Sequence, residues 1–468
     1  MNMEAEKSFR DKISTVDENG KRIWIFAKKP KGKFYNIRTV VSAILLAVLF
    51  TGPFLKINGE PFLLLNVLER KFVILGNIFW PQDFYIAVFT FIISVISIAL
   101  FTVVFGRLFC GWICPQTIFM EMVYRRIEYW LEGDAQQQRN LNKEKWTARK
   151  IRIKTTKQII FYTIAFVISN TFLGYIIGGE ELIKTISSSP SENFGGFAAI
   201  IIFSFLFYGV FAFMREQVCT TICPYGRLQS VMVDKETYAV AYDHFRGEKR
   251  AKLNQKNAES GDCIDCKLCV QVCPTGIDIR NGTQLECINC TACIDACDDI
   301  MEKIKLPKGL IKYTSEKAIA EKTKFRLSTR AKAYTSLLII LLIIFGFILA
   351  NRTDIEVNLL RAYGTTFEQK ENGNYVNFIQ YHLLNKTNKN QNITFKLKDK
   401  KGEINIIGMK KVLVNAGKKA DGTILIELPK SELDGLKTPI LIDVYKNGKI
   451  MRTEKINFSG PFILPKKQ

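Results

Sequence analysis

A multi-domain fold is predicted: a five-helix α-helical transmembrane bundle, a cysteine-rich insert before its last helix, and a C-terminal all-β immunoglobulin-like sandwich. Three observations predict it. Five long apolar stretches punctuate the chain, eight cysteines crowd residues 263–297, and short alternating segments separated by turn residues fill the stretch after residue 355. Composition alone hides this plan: 468 residues carry 48% apolar and 24% charged side chains, a net charge of +22, 12 Cys and 2 His. The apolar content excludes disorder. The length excludes a small disulfide scaffold. His244 and His382 are too few for a bis-His multihaem protein. Residues 1–39 are polar and basic without an early apolar core, so no cleavable signal peptide is expected.

The bundle comes first. A bilayer core of about 30 Å asks for roughly 20 apolar residues per helix. Val40–Leu55, Tyr85–Gly106, Ile159–Gly178, Phe197–Met214 and Ala333–Ala350 meet or approach that length. Residues 337–350 are apolar on every side, whereas a helix at a water-facing surface keeps a polar face. Loop 107–157 carries eleven Lys/Arg and segment 179–196 carries one. That bias predicts the N-terminus and the insert in the cytoplasm, and the C-terminal domain in the periplasm of an inner-membrane protein. The corresponding divisions are 1–37 (cytoplasmic N-terminal segment), 38–235 (spans one to four), 236–332 (cysteine-rich domain), 333–351 (span five) and 355–468 (periplasmic sandwich). Topology explains the basic excess, so no nucleic-acid partner is expected.

The insert is next. Residues 263–273 read CIDCKLCVQVC before Pro274, and residues 287–297 read CINCTACIDAC before Asp298. Both have the spacing C-x2-C-x2-C-x3-C of a bacterial two-cluster ferredoxin. Three cysteines two residues apart wrap one cubane, and the fourth points away to close the other. Cys263, Cys266, Cys269 and Cys297 are therefore expected to hold one [4Fe–4S] cluster. Cys287, Cys290, Cys293 and Cys273 are expected to hold the second. Zinc motifs use two pairs around a long spacer, and a reducing compartment disfavours disulfides.

Four cysteines remain. Cys110-Gly-Trp-Ile-Cys114-Pro115 and Cys219-Thr-Thr-Ile-Cys223-Pro224 share the pattern C-x3-C-P at the inner ends of spans two and four. On a helix, positions i and i+4 share a face, and proline should bend or stop each helix. Four thiols are thus expected to converge, with Arg107, Arg215 or Arg227 lowering their pKa. Soft thiolates suit Cu(I), zinc or iron–sulfur. Simple packing and a reversible disulfide are the other readings. Met120, Met122 and Met214 are possible additional soft donors. No dinucleotide or Walker motif is present, so electrons must arrive from a quinol, a soluble donor or a partner subunit.

The sandwich rests on alternating runs at Asn392–Lys398, Glu403–Ile407, Ile424–Leu428, Ile440–Tyr445 and Ile450–Phe458, with turns expected at Lys401-Gly402, Asp421-Gly422 and Asn447-Gly448.

Taken together, these features resemble the CcoG (FixG/RdxA) family of cytochrome c oxidase accessory proteins, a polyferredoxin-type membrane family. The resemblance rests on VVFGRLFCGWICPQT (103–117), REQVCTTICPYGR (215–227), YDHFRGE (242–248), the duplicated ferredoxin run and the terminal sandwich. It implies a membrane-bound iron–sulfur oxidoreductase: a cupric reductase that supplies Cu(I) for assembly of a cbb3-type oxidase. Copper would be substrate or ligand, bound or reduced at Cys110, Cys114, Cys219 and Cys223. The implied partners are the lipid bilayer, copper ion, cbb3-type oxidase subunits or copper chaperones, and an electron donor of unknown identity. A quinol-linked conduit similar to NapH and NosR, or a non-enzymatic copper relay or assembly scaffold, would show the same cysteines.

Overall fold

The computed structural model describes residues 19 and 21–461, apart from 58, 68–70, 81–82, 193, 258, 285, 324–326, 363, 365–366, 388 and 409–410. The chain forms two compact units. One joins the segment up to Pro53 with Ile86–Gly346, and the other joins Phe54–Tyr85 with the segment from Phe347 onward.

Among the described residues, five helices are long and apolar enough to cross a bilayer: α1 (Lys33–Thr51), α2 (Phe84–Phe105), α3 (Ala148–Ile177), α4 (Phe194–Gly209, continued as a wider helical turn over Val210–Met214) and α5 (Thr329–Ala350). The expected apolar stretches lie within these helices or overlap them, but α1 and α3 begin earlier than hydropathy suggests. The first turns of α3 are basic, and Lys154 and Lys157 each pair with Glu132 at 2.8 Å. Paired in this way, polar residues extend a helix that a hydropathy window stops short. The bundle core is aromatic. Phe119, Tyr124, Phe161 and Phe211 are buried, and Tyr124 stacks on Phe211 at 4.9 Å. Ser169 and Ser204 meet at 2.8 Å where α3 packs on α4, a contact their small side chains permit.

The insert leaves the bundle after the Pro224–Met232 helix. Its ends are closed by antiparallel strands Ala239–Tyr242 and Ile311–Thr314. The stretch before α1 does not hang free where it is described. Ala27 is buried, its carbonyl accepts from Tyr129 Oη at 3.0 Å, and Lys28 N donates to Gln271 O at 2.7 Å. Gly32, at φ 146, lies so close to Asp295 that a Cβ would sit 2.3 Å from its carboxyl carbon. Asp295 then accepts from Phe34 N at 3.1 Å and Tyr35 N at 2.8 Å, capping α1 from within the insert.

In the second unit, nine strands among the described residues build the sandwich: β1 (Ile355–Arg361), β2 (Glu368–Gln369), β3 (Tyr375–Asn385), β4 (Gln391–Leu397), β5 (Glu403–Ile406), β6 (Val412–Val414), β7 (Lys419–Leu428), β8 (Lys437–Lys446) and β9 (Lys449–Ser459). One sheet runs β5-β7-β3-β1 with β2 beside β3, and the other runs β6-β4-β8-β9. Alternating residues from both sheets, among them Ile393, Ile424, Ile426, Ile442, Val444 and Phe458, are completely buried between them.

Asn447-Gly448 makes the expected hairpin, both residues at positive φ. Asp421-Gly422 does not turn the chain. It lies inside β7, opposite His382 and Tyr381, and Gly422 leaves room for the Tyr381 ring. Segment 56–84 carries a meander of Leu63–Asn66, Lys71–Ile74 and Asn77–Phe79. Its Asp83 is buried and accepts from Arg352 at 2.8 Å and Lys386 at 2.6 Å.

Candidate iron–sulfur and thiol sites

The two ferredoxin runs fold alike. Asp265 and Lys267 in the first, and Asn289 and Thr291 in the second, occupy matching positions, and all four have positive φ. These left-handed residues turn the backbone at each x2 spacer, so sulfurs two residues apart face a common centre. A short helix, Leu268–Gln271, lies within the first run and carries Cys269; a longer one, Ala292–Lys303, begins within the second and carries Cys293 and Cys297. Pro274 cannot continue a helix, whereas Asp298 can. Asp298 also accepts from Gly309 N at 2.9 Å, so the departure from proline adds a turn-stabilising contact.

The sulfurs gather in two sets. Cys263, Cys266, Cys269 and Cys297 line one cavity with Tyr242, Arg280, Leu310 and Ile311. Cys273, Cys287, Cys290 and Cys293 line another with Val240, Ile277 and Ile288, and Cys269 stands at its wall. The fourth cysteine of each run therefore reaches the other run's cavity. Burial pushes the Cys269, Cys287 and Cys297 thiols up to about 12 and the Cys290 thiol to about 11. Such thiols ionise only when a cation replaces their protons. A single tetrahedral ion with bonds of about 2.3 Å would need its sulfurs drawn to one point. Among the described residues no group of three His, Cys, Asp or Glu side chains is arranged to hold one metal ion. Apolar cavities walled by four sulfurs each fit a larger, polynuclear sulfur-ligated group.

The C-x3-C-P pairs also share one backbone design. Cys110 lies on the short Leu108–Trp112 helix and Cys219 on the wider Val218–Ile222 turn. Cys114 and Cys223 each cap a new helix whose first residue is proline, at φ/ψ of −58/123 and −66/112. Each proline thus marks a stop and restart. The four thiols come together: Cys110 feels the charges of Cys114 and Cys223, and Cys219 those of Cys114, Cys110 and Cys223.

At Cys110 and Cys219 the expected direction of the pKa shift is reversed. Burial raises Cys110 to about 11 against the opposing Arg107 charge, and raises Cys219 to about 12. Desolvation outweighs a single cation here. Arg107 is instead spent on structure: its Nε donates to Gln229 Oε1 at 3.0 Å and its Nη2 to Gly226 O at 3.0 Å. Cys110 Sγ donates to the same Gln229 oxygen at 3.2 Å. The Arg215 guanidinium donates to both carboxylate oxygens of buried Glu128, at 3.0 and 2.8 Å. The Arg227 side chain lies outside the described ones. Met122 Sδ accepts from Arg126, Met120 is buried and Met214 is exposed.

Sequence reasoning missed Gln229, fully buried beside Cys110, and Asn289, buried in the second cysteine run. Gln229 falls five residues after Pro224, an ordinary spacing. Asn289 could have been noticed as a residue tolerant of positive φ between two cysteines.

Family profiles match three stretches. A 4Fe-4S dicluster domain matches 214–316, a 4Fe-4S binding domain matches 87–154, and the Ig-like fold at the C-terminus of FixG matches 345–461. Protein RdxB of Cereibacter sphaeroides is 35% identical over 73% of this chain and 75% of its own length. Protein RdxA of the same organism is 32% identical over 62% of each chain. Nitrogen fixation protein FixG of Rhizobium meliloti is 29% identical over 63% of this chain and 58% of its own. The latter two matches span less than two thirds of those proteins. The crystal structure of a FixG-related protein from Vibrio parahaemolyticus covers 23% of this chain and 97% of its own at 14% identity, with a TM-score of 0.20, too low to carry an argument. With five apolar helices, iron–sulfur domain matches and the terminal sandwich in one chain, the protein belongs to the FixG/RdxA family of membrane iron–sulfur proteins.

Proposed function

We propose that this protein is a membrane-bound cupric reductase supplying Cu(I) for assembly of a cbb3-type cytochrome c oxidase. Copper is the substrate, taken by thiols of the set Cys110, Cys114, Cys219 and Cys223, no three of which are drawn around one point before it enters. Cys263, Cys266, Cys269 and Cys297 hold one [4Fe–4S] cluster, and Cys273, Cys287, Cys290 and Cys293 hold the other. When bound, the clusters store single electrons from an external one-electron donor, and each Cu(II) consumes one. The Lys/Arg bias of the loops supports a cytoplasmic N-terminus and insert with a periplasmic sandwich.

The observation that carries this reading is the gathering of both C-x3-C-P pairs into one neighbourhood of four thiols. Thiolates hold Cu(I) better than Cu(II), so ligation favours the reduced ion. Gln229 orients the Cys110 S–H, and the buried thiols release their protons as the metal enters.

The test uses anaerobically purified protein, reduced with dithionite and desalted. Cu(II) is added and Cu(I) is read with a chelating dye. Cu(I) should form in step with loss of the reduced-cluster signal, and Cys110→Ser with Cys219→Ser should abolish copper retention without loss of iron. Cluster oxidation that yields no Cu(I) overturns the proposal.

A further inference from the structure

The two cysteine cradles differ in what they touch. The Cys287–Cys290 loop sits on the Arg107–Trp112 turn that carries Cys110. A Cβ on Gly111 would lie 2.3 Å from Ile288 O and 3.1 Å from Cys290 N, so only glycine permits that approach. Trp112 Nε1 donates to Asn289 O at 3.3 Å, and Asn289 Nδ2 reaches back to Phe105 O at 3.5 Å. Arg38 Nε holds the turn from α1 by donating to Gly111 O at 2.7 Å. The first cradle has no comparable seat in the contacts described, and its Cys266 is exposed.

We infer that the Gly111–Trp112 turn is a junction coupling the membrane thiols to the second cradle alone, with Gly111 and Trp112 as its positioning residues. The inference rests on the iron–sulfur assignment above. The carbonyl that Trp112 engages belongs to the peptide whose N–H is that of Cys290. Donation to that carbonyl polarises the peptide and strengthens the Cys290 N–H, which belongs to a cysteine of the cradle, as a donor. Hydrogen bonds near the sulfurs set the potential of a bound cluster. Removing the Trp112 donor therefore makes the second cluster harder to reduce. By reciprocity, a metal at the four thiols shifts the second cluster and leaves the first unchanged.

The experiment is an anaerobic redox titration of the full-length protein followed by electron paramagnetic resonance. The two signals are assigned with Cys266→Ser and, should that fail to load, with Cys293→Ser. Trp112→Phe keeps the ring and removes the N–H. Its second cluster should become about threefold harder to reduce, the scale of one neutral hydrogen bond. The first cluster and the iron content should not change. Gly111→Ala should alter the signal, or lower the iron occupancy, of the second cradle only. Cu(I) added to the native protein should perturb the second signal only.

Equal shifts in both clusters, a shift confined to the first, or an unchanged second cluster in Trp112→Phe overturns the junction. Failure of copper to bind overturns the reductase reading instead, and the Trp112→Phe titration still decides the junction.

Discussion

Asp295→Ala removes the cap that the insert places on α1. The residue preceding this helix, Gly32, has no side chain to offer, so the carboxylate of Asp295 does the work from 261 positions away, accepting from Phe34 N and from Tyr35 N. Loss of a capping acceptor costs about 1 kcal/mol. Loss of a negative charge at a helix N-terminus adds roughly 0.3–1 kcal/mol. Asp295 is only 7% exposed, so water replaces it poorly and the upper end applies. The sum is about 2 kcal/mol, roughly a thirtyfold increase in the open population at the start of α1. Hydrogen exchange on detergent-solubilised protein reads it directly: the Phe34 and Tyr35 amides should exchange about thirtyfold faster, with mid-α1 amides unchanged. Asp295→Asn should fall between the two, since its amide nitrogen cannot accept. Unchanged exchange at both amides in Asp295→Ala would refute the reasoning.

Three further outcomes are expected. Asp83→Asn removes the carboxylate that faces Arg352 and leaves Lys386 with Glu356 alone, at 3.0 Å, which should destabilise the second unit by about 3 kcal/mol in denaturant titrations, the low end for a broken buried pair; a change under about 1 kcal/mol would show that water screens these ion pairs. The Lys370 ammonium, with Asn374 and Asn372, holds the Glu427 carboxyl down at about 2 from its usual 4.5. Its contribution is therefore complete above 4.5 and is lost as pH falls through about 2. Over that window Glu427→Gln should flatten the fall in stability, and parallel pH profiles would contradict the assignment. Gly422→Ala forces a methyl to within 2.3 Å of the Tyr381 hydroxyl, an overpacking worth about 1–3 kcal/mol that denaturation of the full chain should show.

Much of this architecture was legible because its signals are local. Cysteine spacing is a contiguous code, and residues 263–273 and 287–297 assume matching left-handed turns. Apolar length likewise reveals a membrane helix within a single window, as in residues 337–350. What escaped is non-local. The basic turns of α3 are paired through Lys154 and Lys157 with Glu132, and the cap of α1 depends on Asp295. The strands of segment 56–84 share a unit with chain hundreds of residues away. Asp421-Gly422 has turn chemistry, yet Tyr381 recruits the glycine as a space in a strand. The pKa direction of Cys110 was misjudged because sequence shows the neighbouring Arg107 but not the burial that outweighs it.

Asp83 and Lys386 are separated by 303 positions, with Arg352 not far before the latter. During synthesis the acidic residue therefore emerges long before either cation exists. The meander of residues 63–79 must persist, or wait unfolded, while more than half of the chain is still being made. A truncated or stalled polypeptide would carry that carboxylate without its counter-ions, in a fragment lacking most of its second unit. Pairing of this carboxylate is thus bound to synthesis of the chain through Lys386, which makes the arrival of that lysine a built-in checkpoint on the folding of the unit.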